Sequence, residues 1–198
     1  MLIFGGADVK AFFVRYSYSM MKLFLNQIAI ALFGLGLAMA CGMAGNHTMQ
    51  VVTGVGSVLF YLFLQYANMW ELGAKDGLSV QYGHKEYRPL TGLWIGLLAN
   101  ALNFLLAIGI LLGTALPSIE FFGNIGGGSK FLSLILQGMY SGLLALKVGS
   151  TALNAYVFSY FLIPLPAIAA TAAAYYFGLK NKRFTRLFDL KNDTKRKS

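Results

Sequence analysis

The sequence predicts an all-α integral membrane fold. It would have four transmembrane helices, both termini inside (N-in/C-in), and an outer amphipathic or re-entrant helix. Three observations carry this expectation. The chain is 57% hydrophobic and only 12% charged, about half the charge of an ordinary globular domain. Four stretches approach the roughly 20 apolar residues a membrane-crossing helix needs. The basic residues also fall with a strong bias on one side of the membrane those stretches imply.

The first span is expected over 23–44, LFLNQIAIALFGLGLAMACGMA, and the second over 51–70, VVTGVGSVLFYLFLQYANMW; neither holds a charge. The third is expected over 91–113, TGLWIGLLANALNFLLAIGILLG, and the fourth over 157–178, VFSYFLIPLPAIAATAAAYYFG. Pro164 and Pro166 fall in the first half of the fourth span and predict a kink or an unwound start there. The run LAMAC at 37–41 has the outline of a lipoprotein cleavage site for a start at Met20 or Met21. However, Ala38 stands where a large aliphatic belongs, and the remainder is multi-pass. Ala38, Ala40 and Cys41 are therefore read as small packing residues.

Between the third and fourth spans lie two unusual segments. Residues 123–130, GNIGGGSK, come close to a phosphate-binding loop. Ser129 precedes Lys130, however, and no strand leads in, so the order that cradles a phosphate is missing. The glycines are read instead as a flexible connection that lets the next segment fold back. That segment, 131–146, is FLSLILQGMYSGLLAL, bounded by Lys130 and Lys147. At about 24 Å it is short of a roughly 30 Å core. Ser133, Gln137 and Ser141 recur every four residues and make a polar stripe. The expectation is an interfacial helix along the outer surface, with the stripe toward water or a neighbouring loop.

Charge sets the topology. With four spans and both termini inside, fourteen of the sixteen Lys and Arg lie inside and only Lys130 and Lys147 outside. A fifth span would split them almost evenly, against the positive-inside rule. Trp70, Trp94, Tyr16, Tyr18, Tyr175 and Tyr176 would all fall at the inner interface, as an aromatic belt does. Residues 1–180 then form one membrane domain and 181–198 a basic cytoplasmic tail beside anionic headgroups. The net charge of +9 is concentrated in that tail and not spread over a polar surface, so no nucleic-acid partner is expected. The one cysteine, Cys41, excludes an internal disulfide or a thiolate metal site.

The loop 70–92, WELGAKDGLSVQYGHKEYRPLTG, is the densest polar stretch before the tail. Glu71 and Lys75 at i,i+4 extend the second helix by a turn, and Asp76-Gly77 is expected to end it. Asp76, His84 and Glu86 are the loop's candidate acid/base or ligand residues, on the ground that loops carry function. They form neither a metal set nor the paired acids of a transferase, so no catalytic residue, metal or cofactor is assigned. Within the spans the polar residues are amides. Asn100 and Asn103, at i,i+3, share a face of span three. They are the candidate ligand-binding pair for a neutral or zwitterionic solute; as packing groups they would hydrogen-bond neighbouring helices. Gly92/Gly96, Gly109/Gly113 and Gly138/Gly142 are small-xxx-small pairs that favour close crossings.

Four phrases, RYSYSMMKLFLNQIAIALFGL at 15–35, WELGAKDG at 70–77, YRPLTGLW at 87–94 and FLIPLPAIAATAAAYYFGLKNKRF at 161–184, together resemble small multi-pass membrane proteins of Gram-positive bacteria that carry no assigned activity. The resemblance covers most of the chain. It implies a bacterial plasma membrane location and no functional residue. The expected function is a non-enzymatic accessory or assembly protein, with a membrane protein partner or a second copy. The alternative is a small-solute transport component, such as the substrate-binding membrane subunit of an importer.

Overall fold

The computed structural model describes residues 6–182, so the basic tail beyond Lys182 lies outside the described residues. Among the described residues the fold is all-α apart from one hairpin of two-residue strands. Helices α1 (Gly6–Met43) and α2 (His47–Gln81) form a long antiparallel pair. Helices α3 (Thr91–Ala99) and α4 (Ala101–Ala115) follow, then α5 (Glu120–Leu136). A 3-10 turn (Gly138–Tyr140) leads into α6 (Ser141–Leu144). Strands β1 (Lys147–Val148) and β2 (Thr151–Ala152) pair antiparallel. The last described elements are α7 (Val157–Leu162) and α8 (Pro164–Leu179).

Local chemistry sets the element ends. Gly45, at φ +65, ends α1, and the Asn46 side chain caps α2 by accepting from the Met49 amide at 3.0 Å. At the far end α2 does not stop at Asp76-Gly77 as expected; it runs to Gln81 and closes on Gly83, at φ +73, with the His84 amide reaching the Ser79 carbonyl. The reason is packing. Gly77 is used for close approach, since a Cβ there would collide with the backbone of Leu179 on α8. Gly73 meets the Tyr175 backbone and Gly178 the Trp70 carbonyl in the same way, so α2 and α8 pack almost backbone to backbone.

The expected third span is one helix bent by 49° between α3 and α4. The break is at Asn100. Its side-chain amide donates to the Gly96 carbonyl at 2.9 Å, competing with the backbone ladder, the usual cause of such a bend. Helices α1 and α2 are long and apolar enough to cross a membrane, as is the stretch Val157–Leu179; the bent α3–α4 pair makes a fourth if it is one span. Phe33, Phe63, Phe131 and Phe158 are exposed, with many leucines. Three such helices and such a surface suggest a membrane protein. Tyr16, Leu23, Met69, Ile95 and Tyr175 form one interior cluster; Ile30, Ala31, Tyr61, Met139 and Tyr140 form a second.

The segment 123–146 departs most from expectation. GNIGGGSK is helical, inside α5, and not a flexible connection. Each helical glycine costs about 1 kcal/mol against alanine. An unwound backbone in apolar surroundings costs several kcal/mol per unsatisfied group, so the helix wins. Gly126 also meets Gly113 of α4, and Gly109 meets Ser129. Rising positions on one helix thus pair with falling positions on the other, so α4 and α5 are antiparallel.

Nor does 131–146 lie along a surface. Ser133 and Gln137 are 1% and 2% exposed. The end of α5 reaches the level of Gln27, whose amide donates to the Leu136 carbonyl at 3.0 Å. The chain then reverses. Gly138 packs on Ala31 of α1, and Gly142 packs on Gln50 and Gly54 of α2. Lys147 shares a recess with His47, Gln50 and Val51, beside the α1–α2 turn. The chain therefore leaves the turn end after α4, descends about 25 Å along α5, and comes back to the same end by Lys147. It is a hairpin that turns back to the end it left, with its tip between α1, α2 and α8. The expected surface helix fails because the end of α5 is drawn inward, where Gln27 holds the Leu136 carbonyl and Gly138 packs on Ala31, and its polar stripe is buried with it.

Candidate functional site

Three polar arrangements result. The first is the amide chain at the hairpin tip. Gln27 of α1 donates to Asn103 Oδ1 at 3.0 Å, and Asn103 donates to Asn100 Oδ1 at 2.9 Å. All three side chains are buried. The region around Gln27, Asn103, Tyr61 and Tyr140 is packed without room for a water molecule. Asn100 and Asn103, the expected ligand pair, are thus brought together but occupied by Gln27, each other and the α3 backbone. Their position does the work of fixing α1 against α4 and setting the bend.

The second arrangement lies between the hairpin and the segment that follows it. Lys130 and Ser133 stand at i and i+3 on one face of α5, and Gln137 caps the C-terminal end of that helix. With Ser141 of α6, Asn154 and Tyr160 they line a cavity of about 420 Å³. Gln137 is also the link to the amide chain, since it borders both spaces. Among the described residues neither Ser133 Oγ, Ser141 Oγ nor either end of the Gln137 amide has a hydrogen-bond partner, although these atoms are buried. Leaving such groups unsatisfied costs about 1–3 kcal/mol each, a cost that a bound polar partner would offset. The cavity offers two hydroxyls that donate or accept and a carboxamide that does both. The every-four-residue recurrence of Ser133, Gln137 and Ser141 was the signal in the sequence. Which way the stripe pointed was not.

The third arrangement is at the opposite end. Asp76 sits on the last turns of α2, buried, and not in a solvated loop as expected. Tyr16 of α1 and Tyr175 of α8 both donate to its Oδ2 at 2.8 Å, and Lys85 pairs with its Oδ1. Lys85 also lies 5.6 Å from the Tyr16 ring centre. A recess of about 280 Å³ opens above this centre, with His84 and Glu86 at its exposed rim beside Arg15 and Arg88. The three loop candidates therefore line one recess, but they play different parts. Asp76 has both oxygens engaged and ties α1, α2, α8 and the loop together. Glu86 pairs with Arg88 across an exposed 2.8 Å bridge, worth little in water. Among the described residues no group of three His, Cys, Asp or Glu converges as a metal site.

The chain matches no family model, no curated protein and no solved structure.

Proposed function

We propose that this chain is a non-catalytic, multi-pass protein of the bacterial plasma membrane that binds a small solute within the membrane, as a component of its transport. The observation that carries the reading is the hairpin that buries Ser133 and Gln137 without partners beside a cavity of about 420 Å³. Irregular backbone at membrane depth is tolerated only where protein buries it or water reaches it, and broken half-helices that meet inside a bundle are how many transporters build a site.

In this reading α1, α2, the bent α3–α4 pair and α7–α8 are four spans, with both termini in the cytoplasm. Helix α2 has 35 residues, about 52 Å, against a core of roughly 30 Å. Its Asp76 end therefore projects into the inner headgroup region, where a paired carboxylate is cheap to keep. The basic tail lies against the same anionic surface.

Thiol labelling in intact cells tests the reading. In a Cys41→Ser background, Ser133→Cys should react with a small membrane-impermeant thiosulfonate applied from outside, because the reading requires water and solute to reach the cavity that Ser133 lines. Leu132→Cys, on the exposed apolar face of α5, should not react. A Ser133→Cys thiol as inert as Leu132→Cys would mean a dry cavity and would remove the basis of the proposal.

A further inference from the structure

The lining of the hairpin cavity also restricts the charge of what can occupy it. Among the described residues that line it, Lys130 is the only charged side chain, and no carboxylate faces it. Lys130 is exposed, and its Cα lies seven residues from that of Gln137 at the C-terminal end of α5, about 10 Å along the helix. Helical side chains lean toward the N-terminus, so the ammonium is carried toward the turn end, the mouth of the cavity. The deep end holds the neutral groups Ser133 and Gln137, and Ser141 lies on the returning arm, nearer the turn end, since Gly142 packs on Gln50 and Gly54.

This arrangement is asymmetric. An amine or a zwitterion would find no counter-charge for its ammonium. A dianion would leave one charge unmatched in a site whose inner walls are amide, hydroxyl and aliphatic. A single anionic group at the mouth, with a neutral donor and acceptor pointing inward, uses every polar group present.

We propose, building on the solute-binding reading above, that the hairpin cavity is a site for a small organic monocarboxylate that also carries an amide or hydroxyl. The carboxylate stays at the mouth beside Lys130. The neutral end hydrogen-bonds Gln137, with Ser133 and Ser141 supplying the remaining donors and acceptors. The site takes solute from the turn end, the side on which Lys130 is exposed.

The test uses the full chain in lipid nanodiscs at low salt, with binding read by calorimetry for three probes of similar size. N-acetylglycine is the monoanion, N-acetylglycinamide its neutral counterpart and glycinamide the cation. N-acetylglycine is expected to bind about fivefold more tightly than N-acetylglycinamide, the scale of one partly exposed charge pair, and glycinamide more weakly than either. Lys130→Ala should remove the preference while the neutral probe still binds. Gln137→Leu should abolish binding of both, and Gln137→Asn, which keeps the amide, should retain part of it; the second variant guards against a Leu variant that fails to fold. Equal affinity for the anionic and neutral probes, or a preference that survives Lys130→Ala, overturns the monocarboxylate assignment and leaves the solute-binding reading in place. No heat from any of the three probes overturns the assignment as well. If Ser133→Cys is also unreactive to the impermeant reagent, the solute-binding reading falls with it.

Discussion

Tyr16 and Tyr175, on the first and last helices of the described chain, donate to the same oxygen of one buried carboxylate, Oδ2 of Asp76, each at 2.8 Å. The contact closes the bundle at one end. It brings together α1, α2 and α8, and Lys85 adds the loop between α2 and α3. Removing the carboxylate leaves a buried ammonium without its partner, which typically costs about 3–5 kcal/mol. Asp76→Ala should therefore lower the melting temperature in detergent sharply. Tyr175→Phe, which removes one hydrogen bond to a charged group, should cost about 1.5–3 kcal/mol. The double variant Asp76→Leu/Lys85→Met should recover part of the loss. Wild-type melting of Asp76→Ala would show that the centre does not hold the helices.

The amides at the hairpin tip make a contrasting forecast. Asn103 takes part in two hydrogen bonds, one to α1 and one to Asn100. Such bonds between membrane helices average about 0.6 kcal/mol and reach about 1.7. Asn103→Leu should thus cost about 1–2 kcal/mol in thermal unfolding and leave solute affinity per folded molecule unchanged. Lost binding at unchanged stability would put the ligand at the amide chain, not in the cavity.

Glycines within the hairpin should separate cleanly. A Cβ on Gly138 would collide with the Ala31 carbonyl, whereas one on Gly127 meets nothing within 4 Å. Gly138→Ala should be destabilising, because backbone must move. Gly127→Ala should be neutral or stabilising by up to about 1 kcal/mol, the helix-propensity difference. Melting curves of the two variants side by side check the packing. A shift of the same sign and size in both would contradict it.

The sequence carried the long apolar helices, the close glycine crossings and the polar stripe of Ser133, Gln137 and Ser141, because each depends on composition or on helical period. Three features were not legible. Gly77 and Gly83 are both plausible helix stops, and only the approach of Leu179 on α8 decides that Gly77 packs and Gly83 terminates. The glycine run 123–128 reads as a flexible connection by local propensity, but the apolar setting and the Gly113–Gly126 contact with α4 keep it helical. The direction of the polar stripe follows from long-range contacts of the hairpin tip, Gln27 on the Leu136 carbonyl and Gly138 on Ala31, which no local pattern shows. Asp76 is singled out by type, and Tyr16 and Tyr175 by the aromatic belt, but both tyrosines are buried and turn to Asp76, a pairing no local pattern shows.

The proposed orientation rests on the charge bias. If it holds, a reporter active only in the cytoplasm and fused after Ser198 should be active, and an export-dependent reporter fused there should be silent. The reverse pattern would invert the charge argument that orients the spans.

The re-entrant path is tested most directly by labelling its two ends. In a Cys41→Ser background, Ser118→Cys and Lys147→Cys flank the hairpin, and His84→Cys marks the opposite end. An impermeant maleimide added to intact cells should label both Ser118→Cys and Lys147→Cys, and should label His84→Cys only after the membrane is permeabilised. If Lys147→Cys instead behaves like His84→Cys, the segment crosses the bilayer, and both the hairpin and the site built on it are wrong.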